Sequence, residues 1–369
     1  MKISFTRDAF MDVAAILSIA DDGKHGGALF RTGGGTVTVM ASDGTLYLRG
    51  IMAANVTEAG SVVLDLKKID SICRAADAEL IQIEVNDLKG TLVAGKSKFK
   101  LLALAESTYP YEPKLPNVAM ATIRPSILTE AVAKVLPCVN DKHYAIFQGC
   151  YLAIERDIRF AGTDGKQIAE MVREVEKPVK AVNGVASVRT IQAAAKIANS
   201  IMESDGEHSM LIGIHDGMFI AQADDFRLVA PLLQGDFPKY DAIFPNREDA
   251  LGVAKIVADK LTGMLSRAAL ATATKTGEVV AELGATVLGF RIGQKDSPDF
   301  TESAEVIVQG EPLSRNYSLR QLIAAVGTIP EGNEAVLEFG APNKPLQITF
   351  AGDPGWRYAS MPMLSTVEQ

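Results

Sequence analysis

Cysteine is scarce: Cys73, Cys138 and Cys150 are the only three in 369 residues. They show neither zinc nor redox spacing, and so few of them suggest a reducing compartment. The four histidines form no Ser/His/Asp arrangement. His208 and His215 beside Asp216 could suggest a metal, but alternate strand positions and a turn account for them equally well. Gly33-Gly34-Gly35 lacks the lysine and the spacing of a phosphate loop, and no strand–GxGxxG–helix unit exists. No metal or other cofactor is therefore expected. No 18 apolar residues run together, and Met1-Lys2-Ile3-Ser4-Phe5 reads as a strand rather than a leader, so a cytoplasmic protein is expected. Low-complexity segments are missing. Positive charge is also in deficit, with 37 Lys and Arg against 45 Asp and Glu, a net −8. Taken alone, that balance argues against a nucleic-acid partner.

What is present is repetition. Phe226-Arg227-Leu228-Val229-Ala230-Pro231 is followed by Gly235-Asp236-Phe237-Pro238-Lys239-Tyr240 and closes on Phe244-Pro245-Asn246. An earlier copy runs Phe99-Lys100-Leu101-Leu102-Ala103, Tyr109-Pro110-Tyr111, Leu115-Pro116-Asn117, and a third begins Trp356-Arg357-Tyr358-Ala359-Ser360. The starts at 99, 226 and 356 are 127 and 130 residues apart, too long for a solenoid repeat and right for a domain. The reading is three tandem α+β domains, 1–118, 119–246 and 247–369, joined by the proline-bearing linkers Pro110–Val118 and Pro238–Asn246. Linkers that short imply a rigid row.

Each third reads strand, helix, strands, helix, strands. Thr6 is placed as the N-cap of the first helix, with Asp8 in its first turn. Thr36–Met40 and Leu80–Val85 alternate as half-buried strands do, and Met210–Ala223 reads as a hairpin around His215-Asp216-Gly217. Ser42-Asp43-Gly44 recurs as Thr163-Asp164-Gly165 at a step of 121, and Leu283-Gly284-Ala285 stands in its place in the last third. Asp43 and Asp164 could be imagined as catalytic carboxylates of a hydrolase, but Asp-Gly is foremost a strand-reversing turn. Nothing reads as an enzyme.

The helices are expected at 6–20, 63–76, 123–136, 185–201, 247–269 and 313–326. Together they hold 14 basic and 8 acidic residues, so the rest of the chain carries the acidity. Arg189 and Lys196, two turns apart, share a face. A basic helical face on an otherwise acidic protein can hold DNA by its phosphates without reading sequence. Near the end, Pro362 cannot sit inside a central strand, which leaves Met361 and Met363 for an edge or a surface, unless this last strand is tucked into its own core. Exposed methionines suit surfaces that accept several partners.

On Phe99-Lys100-Leu101, Thr163-Asp164-Gly165, Gly235 to Tyr240 with Pro245, Ser266-Arg267-Ala268-Ala269 and Tyr358 to Met363, the whole chain resembles the β sliding clamp of bacterial DNA polymerase III. The resemblance implies three clamp domains, each with two helices on the inner face and antiparallel sheets outside. It also implies a head-to-tail homodimeric ring around duplex DNA, a non-catalytic processivity factor that tethers the replicative polymerase. Clamp loader and repair proteins would reach it through a Gln-Leu-x-Leu-Phe-type peptide. The pocket carried over for that peptide takes Thr163, Gly165, Lys166, Gln167 and Ile168 from the turn and Ile146 with Phe147 from the adjoining strand. Pro245 comes from the linker, Tyr317 from a helix of the third domain, and Ala359, Met361, Pro362 and Met363 from the chain's end. Phe99, Leu101 and Leu270 match the dimer contact, and Lys24, Arg189 and Lys196 are expected to face DNA. The sequence departs from the family at Lys166 and Gln167, where His or Arg is usual, and in the tail Leu364–Gln369. A diverged paralogue outside the main replisome is the alternative within the same family.

Overall fold

The computed structural model describes residues 1–110, 118–139, 145–203, 206–272, 277–295 and 298–363. Most of the first linker and the tail Leu364–Gln369 lie outside these. The chain divides into two compact units, one of residues 1–129, 154–156 and 174–232, the other of residues 130–153, 157–173 and 233–369.

Six helices are described: α1 Arg7–Leu17, α2 Leu66–Ala75, α3 Ser126–Lys134, α4 Val188–Met202, α5 Ala258–Leu270 and α6 Leu319–Val326. None is long and apolar enough to cross a membrane. Asp65 caps α2 by accepting from Lys68 N at 2.9 Å, and Ser187 caps α4 by accepting from Thr190 N at 3.1 Å, each satisfying an otherwise orphaned amide. Thr6 stands at the N-cap of α1 with extended backbone, but its side chain makes no capping bond.

Two helical expectations shrink. Residues 313–326 split into a strand, Leu313–Ser318, and α6. Residues 247–269 split into a 3-10 turn at Arg247–Asp249, the strand Gly252–Val257 and α5. In both cases a strand runs into a helix with no loop between them, so the apolar pattern changes period without any break in composition.

In the first unit thirteen strands form one sheet. At one point along it Phe226–Val229 pairs antiparallel with Tyr47–Gly50, placing the closing strand of the second repeat beside a strand of the first. The core lies beneath, with α1 packed on α2 and α4 and Phe10, Phe30 and Leu17 fully buried. Gly50 is needed at the crossing, because a Cβ there would come within 2.9 Å of Val13 and 3.1 Å of Phe226. The hairpin at His215 forms as read, with Asp216 and Gly217 both at positive φ.

In the second unit the strands Gly149–Ile154, Asp157–Thr163, Gln167–Glu174, Trp356–Ser360, Leu346–Phe350, Glu334–Phe339, Gly252–Val257 and Ile307–Gly310 follow in order. A separate four-stranded sheet runs Pro298–Glu305, Val287–Gly293, Glu278–Leu283, Leu313–Ser318, and α5 packs on α6. Here too a closing strand, Trp356–Ser360, pairs antiparallel with a strand of the preceding repeat, Gln167–Met171. The two junctions are built alike.

Candidate functional site

The second junction gathers most of the residues expected in the peptide pocket. Its turn is held by its own side chains. Asp164 accepts from the amides of Lys166 and Gln167 at 2.9 Å each, and Gly165 N donates to Thr163 Oγ1 at 3.0 Å. Gly165 sits at φ +84°, where an L side chain is strained, and a Cβ built on it would lie 3.8 Å from the Phe147 ring. Phe147 thus stands beside the turn, and Ile146 stands the same distance from a Cβ on Gly235, just before the second linker. The segment Met361-Pro362-Met363 is fastened on both sides, by Met361 N donating to Lys166 O at 2.8 Å and Met363 N to Asn316 O at 2.7 Å. Met361 remains 38% exposed, with Pro362 and Met363 half-buried, so this segment lies at the surface.

Ile168 and Ala359 face each other across the strands. They form an apolar floor with Ala161, Tyr240 and Phe244, on which Tyr151 and Phe237 pack. Pro245 follows directly and is half-buried. Linker and strand are locked by Glu170, which is 3% exposed. It accepts from Tyr240 Oη at 2.8 Å and from Arg357 Nε at 2.5 Å, and it pairs with Arg159 at 3.2 Å. Arg357 lies over the Phe244 ring at 3.9 Å, a cation–π contact. Burial, then the adjacent Glu170 carboxylate, pushes the Tyr240 hydroxyl pKa well up, so it stays a donor. The sequence reading missed Glu170. Its signal was a lone carboxylate in the apolar run Ile168-Ala169-Glu170-Met171, opposite the repeated arginine.

Two expected pocket residues are placed differently from the others. The Gln167 side chain turns to the face opposite Ile168, donating to Asp164 at 3.1 Å and accepting from Tyr358 Oη at 3.0 Å. Tyr317 belongs to a strand, not a helix, and is 1% exposed with its ring near Phe339. Gln167 therefore lies on the face of its strand away from the apolar floor of Ile168 and Ala359.

Residues 25–115 match the family model described as DNA polymerase III beta subunit, N-terminal domain, and residues 241–364 the one described as its C-terminal domain. The chain belongs to the DNA polymerase III beta-subunit family. A beta sliding clamp of Streptomyces coelicolor is 24% identical over 98% of this chain and 99% of its own length. The crystal structure of a DNA polymerase sliding clamp from Bacillus subtilis superimposes with a TM-score of 0.90 at 17% identity, covering 99% of each chain. A sliding clamp from Pseudomonas aeruginosa bound to griselimycin gives 0.90 at 18% identity, over 99% of this chain and all of that one.

The other residues carried over from the family fare unevenly. Lys196 lies on the exposed face of α4 with Gln192 and Asn199, a helix with no acidic residue. Arg189, on the same face, hydrogen-bonds Asp43 and the carbonyl of Ile19. Lys24 pairs with Asp22 at 2.9 Å in an exposed loop. Phe99 is 36% and Leu270 87% exposed, but Leu101 is 4% exposed. Strand alternation turns Leu101 into its own core, while Leu102, 76% exposed, faces outward, which corrects Leu101 as a contact residue. Asp43 and Asp164 are spent on turn amides, as the turn reading requires.

Proposed function

We propose that this chain is a DNA sliding clamp, a non-catalytic processivity factor that tethers a DNA polymerase to duplex DNA. Tethering raises the polymerase's effective concentration at the primer end without new chemistry. The reading rests on family membership together with one structural observation, the repeated junction. Twice the closing strand of one repeat pairs with a strand of the repeat before it. Among the described residues, the closing strand of the first repeat and a strand of the third each keep an open edge. The stretch Ser97–Leu102 pairs on one side only, with Lys89–Ala94, and Pro298–Glu305 pairs only with Val287–Gly293.

Repetition of the junction between copies supports a head-to-tail homodimer of three-domain chains, divided at 1–118, 119–246 and 247–369, with Phe99 and Leu270 at its contact. The cluster of Ile146, Phe147, Thr163, Gly165, Lys166, Ile168, Pro245, Ala359, Met361, Pro362 and Met363 supports a docking pocket for a Gln-Leu-x-Leu-Phe-type peptide. Its apolar side chains would fill the space over Ile168 and Ala359. The test is binding of a labelled Gln-Leu-x-Leu-Phe peptide to the full chain, with Met361→Ala as control. Saturable binding weakened by that change is expected, and a folded dimer that ignores the peptide would refute the pocket.

A further inference from the structure

The two junctions differ at one pair of positions. At the second, Arg357 stands directly opposite Glu170. At the first, the equivalent arginine, Arg227, stands directly opposite Arg49. The correspondence is fixed twice over. Arg227 and Arg357 each follow the aromatic residue that opens the repeated stretch, and Arg49 precedes Glu170 by 121 residues, the same step that separates Asp43 from Asp164. Residues directly opposite in an antiparallel pair project from the same face, and like charges placed so destabilise the sheet. The Nε atoms of Arg49 and Arg227 are both buried without a hydrogen-bond partner, and neither guanidinium has an ion pair with a described residue. A buried donor left unmade is costly, and two such donors side by side call for one shared acceptor.

The second junction shows what that acceptor is chemically, since its arginine is met by a carboxylate that also satisfies Arg159 and Tyr240. We propose that Arg49 and Arg227 form a binding site for a small oxoanion, a carboxylate or phosphate group held between two guanidinium forks. Planar guanidinium donors match such oxygens in bidentate geometry. The site takes the place of the glutamate that the first junction lacks, and it lies in the first unit.

Two measurements on the full-length protein test this. In NMR spectra with arginine side chains labelled, titration with inorganic phosphate at constant ionic strength is expected to shift the Nε–H resonances of Arg49 and Arg227 saturably. Acetate in a parallel titration reads the carboxylate arm. Arg49→Gln should weaken the phosphate response at least tenfold. Arg49→Glu should rebuild the pair seen at the second junction, raising the thermal midpoint in chloride and abolishing any further rise with phosphate. If the charge reversal does not fold, Arg227→Gln should weaken the phosphate response as Arg49→Gln does. No saturable shift with either anion, or a phosphate response in Arg49→Glu equal to that of the natural protein, would overturn the proposal.

Discussion

Replacing Asp43 by asparagine separates the charge of this residue from its role in the turn. Asp43 Oδ1 accepts from the amides of Thr45 and Leu46 and from Thr45 Oγ1, each at 2.8 Å, and its other oxygen pairs with Arg189. Burial opposes ionisation, but the bonds from Leu46, Thr45 and Arg189 outweigh it and bring the carboxyl from 3.8 down to about 2. At about 1.4 kcal/mol per pH unit, that shift is worth at most roughly 2.5 kcal/mol at neutral pH. The Asp43 side chain is 8% exposed but that of Arg189 is 47%, and solvent screening takes much of the pair's share. Asparagine keeps the turn acceptors, so a loss of about 1–1.5 kcal/mol is expected, a few degrees in thermal midpoint.

The pH dependence has a definite sign. A depressed carboxyl stabilises fully above its unfolded pKa near 4 and loses that contribution as pH falls toward about 2. Urea denaturation at pH 7, 4 and 2.5, at one protein concentration, should therefore show the gap between the natural protein and the Asp43→Asn variant constant at first and mostly closed at the lowest pH. The same change unties Arg189, so non-specific affinity for linear duplex should rise while stability falls, with a salt slope steeper by about one unit. A gap unchanged at pH 2.5, or DNA affinity falling along with stability, would refute the assignment.

Asp353→Asn removes the acceptor shared by Arg173, at 2.9 and 2.5 Å, and Lys134, at 2.5 Å, all with side chains under 15% exposed. Glu130 still holds Arg173 at 2.6 Å, so the cost should be about 2–3 kcal/mol, below that of a fully stranded buried charge. Burial works against the Asp353 charge, but Arg173 and Lys134 prevail and hold its carboxyl below the usual range. The cost should fade below about pH 4 in urea titrations. Lys196→Ala should weaken binding to linear duplex of any sequence and flatten the salt slope by about 0.9 with no change in the thermal midpoint. Phe99→Ala should shift sedimentation toward monomer, and an unchanged dimer would remove Phe99 from the contact.

Repeats, turns and hairpins were legible because they depend on local chemistry. Asp43 and Asp164 bind their own turn amides, and Asp216-Gly217 supplies the positive φ that a tight hairpin needs. Strands running straight into helices were not legible. Leu313–Ser318 joins α6 through Ser318, whose side chain makes no cap bond to mark the boundary, and Tyr317 was misplaced on a helix as a result. Side-chain facing was the other gap. Gln167 and Ile168 are neighbours in sequence but point to opposite faces, so a motif can name both and only the sheet can tell them apart. Glu170 escaped because its partners, Arg159, Tyr240 and Arg357, come from three separate stretches.

The electrostatics of the helices bear on how DNA could be held. Within their observed bounds α1 to α6 carry ten basic and five acidic residues, so the positive excess survives the corrected boundaries. Half of those cations are already paired, Arg7 with Asp8, Arg74 with Asp70, Lys134 with Asp353, Arg189 with Asp43 and Arg267 with Glu302. Lys67, Lys68, Lys196, Lys260 and Arg320 have no ion pair among the described residues, and Lys68 also donates to the carbonyl of Lys100. Five cations per chain can neutralise at most about five phosphates, and affinity resting on so few falls steeply as salt rises. Charge of this order lets a protein move along a duplex but does not keep it there. Retention through the proposed closure of two chains answers that, and it predicts that salt strips the protein from linear DNA but leaves it on closed circles once loaded.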